Sequence, residues 1–176
     1  MAILNGSYRK GGNKMVRDNL VMEDVRIIFK NFSGKEDKFN RAGDRNFCVV
    51  IENREEAERL SSLGWNVKQL RPLEEGGEPG FYIQVAVSYK NIEPNIYMVT
   101  NHNKVRLSES TVGNLDSADI KNVDLIISPY NWEVNGKSGV KAYCKTMYVT
   151  IDEDVFAGKY SFDDEFAQAM DDIPFM

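Results

Sequence analysis

Two long alternating runs joined by Asn135-Gly136 constrain this chain more than any other stretch of its sequence. Residues 123–134 and 139–151 are rich in β-branched and aromatic side chains. The Asn-Gly link favours the positive backbone angles of a type I′ turn, whose twist suits paired antiparallel strands. Ile126, Tyr130 and Trp132 share a parity on the first run, while Lys141, Tyr143 and Lys145 share one on the second, opposite Val140, Ala142 and Cys144. A cation-aromatic-cation row suits a single-stranded nucleic acid, because bases stack on the ring while ammonium groups meet the flanking phosphates. A solvated strand face with a half-buried tyrosine gives the same pattern.

Upstream, the alternation predicts more strands. Residues 23–32 set Val25, Ile27 and Phe29 on one face, expected to be buried, and Arg26, Ile28, Lys30 and Phe32 on a basic, aromatic and open one. Residues 33–45 then read as a long hairpin loop with four cations, including Lys35, Lys38 and Arg41, around an exposed Phe39. The apolar run 46–52 is a central strand. Asn53 is a good N-cap, residues 54–63 place Ala57, Leu60 and Leu63 on one helical face, and Gly64 is a stop. Strands follow at 65–70, 81–89, 96–100 and 104–107, with Tyr82 on an otherwise small and polar open face, and a helical turn is expected at 117–122. His102, alone of its type, sits in the turn Asn101-His102-Asn103 and has no partners for a metal set or a nucleophile–base pair.

Charge divides the chain in two. Residues 152–176 hold eight of the 27 acidic side chains and one of the 22 basic ones, leaving 19 acidic and 21 basic residues in 1–151. A mildly basic body points to a polyanion, and an acidic tail to a basic partner. Residues 1–22 read as a flexible basic arm, 23–151 as one folded domain, and 152–176 as a disordered acidic tail with too few apolar groups to offset the entropy of ordering. Cys48 and Cys144 lie in apolar runs and are expected to be buried, reduced thiols, a disulfide between them being the alternative. No run approaches the ~20 apolar residues of a membrane span, so no membrane partner and a cytoplasmic location are expected. Neither a catalytic group, a metal site nor a cofactor is expected: the carboxylates lie mostly in the helix, turns and tail, without a paired motif at strand ends.

The ending Asp171-Asp172-Ile173-Pro174-Phe175, followed here by Met176, resembles the tip of bacterial single-stranded DNA-binding proteins. In that family an acidic linker presents the motif to replication and repair proteins, which implies a polymerase, helicase, primase or recombinase as partner of these five residues. The segment 130–143, with a Trp-containing strand, a Gly-rich turn and a strand carrying Lys and Tyr, is similar to phage-encoded single-stranded DNA-binding proteins of the OB type. That likeness implies the host cytoplasm as location.

Seven or eight strands with one short helix predict a mainly β protein, an OB-like antiparallel β-barrel; the strand pattern alone also permits a small sandwich. Single-stranded DNA is then expected across one barrel face, its phosphates on Lys30, Lys35, Lys38, Arg41, Lys137, Lys141 and Lys145 and its bases on Phe32, Phe39, Tyr82, Trp132 and Tyr143. Sequence preference is expected to be weak, and a homo-oligomer is compatible with the chain. An RNA-binding or strand-annealing protein would use the same groove. A metal-dependent nuclease or a structural phage protein is the more distant alternative.

Overall fold

In the computed structural model, residues 15–152 are described. The strands are β1 (Leu20–Val25), β2 (Ile27–Asn31), β3 (Arg45–Ile51), β4 (Lys68–Leu70), β5 (Gly80–Val87), β6 (Asn95–Val99), β7 (Lys104–Leu107), β8 (Ile120–Val134) and β9 (Lys137–Ile151), with one helix, α1 (Arg54–Leu63), and a 3-10 turn at Val112–Asp116. They form one sheet with the path β1-β8-β9-β5-β3-β2, to which β4 adds on β5, and β6 and β7 add beside β9. The two ends of that path are the two arms of one bent segment. β1 pairs with β8, β2 pairs with β3, and the carbonyl of Arg26 between them accepts from the Val50 amide at 2.9 Å. The sheet thereby curls into the expected OB-like form. Most pairs are antiparallel, but β5 and β6 both run parallel to β9.

The hairpin is the structural spine. Asn135 and Gly136 take φ of 52° and 78°, and the ladder runs from Val134↔Lys137 to Ile120↔Ile151. Phe47, Val49, Ile83, Val85, Leu125, Ile127 and Met147 point inward from four strands and are almost wholly buried. The helix follows its local signals: Asn53 Oδ1 accepts the amides of Glu55 (2.7 Å) and Glu56 (3.3 Å), and Gly64 ends it at φ 110°. Ala57 and Leu60 are buried, whereas Leu63, in the last turn, is exposed. Both cysteines are free and buried, and burial pushes their thiols up, to about 11 for Cys48 and about 12 for Cys144. None of the described helices is long and apolar enough to cross a membrane.

Three differences from the sequence reading have local causes. The strand expected over 23–32 breaks at Arg26, with Asp24 and Phe29 at positive φ (52° each) where both pairings slip register. A left-handed residue interrupts the two-residue alternation, so the faces exchange: Phe29 is 65% exposed and Phe32 is 0% exposed. Next, residues 16 and 20–22, expected within a basic arm over 1–22, join the fold. β1 starts at Leu20, Val16 is buried, and the Asn131 side chain accepts from the Val16 amide (2.9 Å) and donates to its carbonyl (2.7 Å). Asn131 thus pairs like a backbone unit beside Pro129, which has no amide hydrogen to offer. Lastly, the turn expected at 117–122 is the earlier 3-10 turn, and Ile120 already belongs to β8. Residues 1–14 and 153–176, including Asp171, Asp172, Ile173, Pro174 and Phe175, lie outside the described residues.

Candidate functional site

On the outer face of the curled sheet the register sets Asn46 of β3, Ala86 of β5, Tyr143 of β9 and Ser128 of β8 in one row. Small Ala86 on β5 and Ser88 just after it leave room beside the tyrosine ring. The result is an open groove of about 750 Å³, floored by β5, β9 and β8 and walled on one side by the 33–44 loop. Four of the expected residues line it: Phe39, Trp132, Lys141 and Tyr143.

Each of these is held by identifiable neighbours. The Tyr143 ring meets Tyr130 edge-on at 6.2 Å, and the Lys141 ammonium stands 5.2 Å from its centroid. Trp132 lies across its hairpin partner Gly139, where an added Cβ would come within 2.7 Å of Cζ2. Only glycine lets the indole cover the hairpin at this point, and the ring keeps 37% exposure. Phe39 is 95% exposed. Its loop is closed at the base by the Gly43 amide on the Gly34 carbonyl (2.8 Å) and organised by Asn40, whose side-chain amide donates to the carbonyls of Lys35, Arg41 and Asp44. The ring therefore projects from an ordered loop, with part of the entropy of fixing it already met by the fold.

The other expected residues divide. Lys35, Lys38 and Arg41 are exposed on the loop that carries Phe39, and Lys137 is exposed at the hairpin turn, but none lines the groove. Lys145 is exposed and is the extra residue of a bulge, since Ile127 faces Cys144 and Ile126 faces Thr146. The bulge ends the Lys141-Tyr143 row. Tyr82 stands on the same outer parity of β5 as Ala86, four residues or about 13 Å away, edge-on to Phe29 at 6.4 Å. Two residues are removed from the expected surface. Phe32 stacks on Phe47 at 5.3 Å inside the core, because the left-handed Phe29 reverses its face. Lys30 is half-buried and its ammonium donates to the Leu115 (3.0 Å) and Ala118 (3.2 Å) carbonyls, tying β2 to the 3-10 turn.

The groove also takes in Arg45, Gln84, Tyr89 and Lys90, none of them among the expected contacts. Arg45 begins β3, and Tyr89 follows β5; the guanidinium sits 5.7 Å over the tyrosine ring. Burial pushes the Tyr89 phenol up to about 12, so it keeps its proton at neutral pH and stays a donor. Tyr130 was detectable from its shared parity with Trp132, and Arg45 from its place at the end of the cationic loop. Lys90 carried no such signal. Chemically, the arrangement offers open aromatic faces to flat ring systems and the cations Arg45, Lys90 and Lys141 to anionic oxygens, with Asp44 and Glu109 as acidic counterweights.

Known proteins share this fold. Residues 11–174 match the family described as "Putative phage ssDNA-binding domain". The fold is similar to that of the C-terminally truncated single-stranded DNA-binding protein from bacteriophage Enc34, with a TM-score of 0.51 at 8% identity over 84% of this chain and 89% of that one. The same phage protein in complex with ssDNA gives a TM-score of 0.51 at 9% identity, over 84% and 90% of the two chains. At such identity the likeness is one of fold. No curated protein matches the sequence.

Proposed function

The chain belongs to the phage ssDNA-binding domain family, and from that premise we propose that it binds single-stranded DNA with little sequence preference during DNA replication, recombination or repair. The observation that supports this reading most is the convergence of Phe39, Trp132 and Tyr143 with three cations on one open groove. Bases stack on the rings, each contributing about 1–3 kcal/mol, and phosphates meet Arg45, Lys90 and Lys141. No covalent chemistry is involved. Because every base has a π-face, stacking tolerates sequence, and a groove open along its length accepts a strand without free ends.

Gel-shift titration with single-stranded and duplex oligomers tests this directly. Single strands are expected to bind far more tightly, and equal affinity for both would sink the reading. With about three phosphates neutralised in the groove, log K should fall against log[salt] with a slope of about −2, from roughly −0.7 per phosphate; engagement of the loop cations would steepen it to about −4. Matched RNA oligomers separate the alternative of an RNA-binding or strand-annealing protein. A preference for RNA would favour that alternative.

The acidic tail adds recruitment to this reading. Its carboxylates occupy the groove weakly in the absence of DNA, and their displacement frees Asp171, Asp172, Ile173, Pro174 and Phe175 for an apolar pocket with a basic rim on a replication or recombination protein. Deleting residues 163–176 is expected to leave DNA affinity equal or higher, most visibly at low salt, and to abolish recruitment. Phe175→Ala should abolish recruitment alone. A tail deletion that lost DNA affinity would make the tail part of the binding surface instead.

A further inference from the structure

The cation at the end of the groove is balanced in an unusual way. Among the described residues Arg45 makes a single long ion pair, Nη1 to Glu109 Oε1 at 3.6 Å, with side-chain exposures of 18% for the arginine and 64% for the glutamate. Among the described residues its Nε is buried without a partner, and so is the hydroxyl of Tyr89, on whose ring the guanidinium rests. Buried polar atoms without partners are uncommon in folded proteins and call for an explanation. Both residues, with Glu109, also line a second opening of about 570 Å³, together with Glu93, Ser108 and Ser110, so the two openings adjoin at Arg45 and Tyr89. Glu93 is engaged by Arg106 at 3.9 Å and leaves Arg45 to Glu109.

We propose that Arg45 is a phosphate anchor where the single strand crosses from the groove to this second opening, and that Glu109 is its resting counter-ion, displaced by the incoming phosphodiester. The proposal rests on the single-strand reading above. A guanidinium presents five donors in a planar fork, of which the glutamate meets one at long range. A phosphodiester offers two unesterified oxygens that suit the fork better. An exposed carboxylate at such a distance is held weakly and exchanges readily. Its departure disturbs little, because the loop bearing it is fixed by its own bonds: the Ser108 amide on Thr111 Oγ1 (2.8 Å) and the Val112 amide on the Ser108 carbonyl (2.9 Å). Movement of the guanidinium towards a phosphate also brings Nε to an acceptor.

A double-mutant cycle on the full chain, read as anisotropy of a labelled oligo-dT, tests the latch. Glu109→Gln should tighten binding about three- to tenfold and Arg45→Met should weaken it at least about tenfold, while Glu109→Gln placed on Arg45→Met should change affinity less than about twofold. Equal tightening in both backgrounds would reduce Glu109 to long-range repulsion and overturn the proposal while leaving single-strand binding intact. A parent that binds no single strand would overturn both. Thermal melts accompany each variant. Should Arg45→Met fail to fold, the Arg45 Nε–H resonance of the parent, identified by its loss in Arg45→Lys, provides the second reading. A shift of that signal on adding oligo-dT supports the anchor, and an unmoved signal overturns it.

Discussion

Phe32→Ala is expected to lower the stability of the protein by about 3–5 kcal/mol, the largest effect of any substitution considered for this chain. The ring is wholly buried and stacked on Phe47, and its backbone amide donates at 2.7 Å to Oδ1 of Asp116, the last residue of the 3-10 turn whose Val112 and Leu115 are also wholly buried. Truncation leaves a cavity where three elements meet, and none of them can collapse without pulling on the others. For a body of this size the melting temperature should fall by on the order of 10–20 °C. Phe29→Ala is the matched control, three residues away but exposed, and surface changes of that kind usually stay within about 0.5 kcal/mol. If Phe32→Ala instead melted like the parent and bound DNA less well, the ring would be a base-stacking residue and the inward placement would be wrong.

That pair of phenylalanines also shows where the sequence was readable and where it was not. The hairpin was legible because Asn135-Gly136 carries its backbone angles in its composition and the flanking parity then assigns Tyr130, Trp132, Lys141 and Tyr143 to one face. The helix was legible for the same reason, its cap residues being chemically distinctive. Nothing in a phenylalanine announces a φ of 52°, so the reversal at Phe29 was invisible, and with it the burial of Phe32 and the capture of Lys30 by two carbonyls. Lys145 leaves the Lys141-Tyr143 row in a similar manner, through a bulge that alternation cannot reveal. The Asn131 clasp on Val16 spans 115 positions and replaces a backbone pairing with a side chain, which no local pattern encodes. Arg45 is a different case: its charge was visible, but the partner that defines its state, Glu109, comes from a loop 64 residues on.

Tyr143→Ala and Trp132→Ala should each weaken single-strand binding by about 1–3 kcal/mol, roughly 5- to 150-fold, with little change in the fold. Tyr143 sits at the centre of the groove floor and is half-buried by Tyr130 and Lys141, so its free face is presented without further ordering. Trp132 lies against Gly139 and is 37% exposed, so its removal uncovers hairpin backbone that water can solvate. Since the two rings face one groove, a single strand that bridges both makes the double variant lose roughly the sum of the two, while a strand that touches only one makes the second substitution silent. Fluorescence separates these cases. Trp65 is 4% exposed and should not respond to DNA, so quenching on adding oligo-dT that disappears in Trp132→Phe assigns the contact to the hairpin indole. Quenching that survives Trp132→Phe would shift the strand towards Trp65 and the Asn66 end of the groove. Unchanged affinity in both alanine variants would exclude the β8–β9 hairpin face from the binding surface and leave the cationic loop around Phe39 as its principal element.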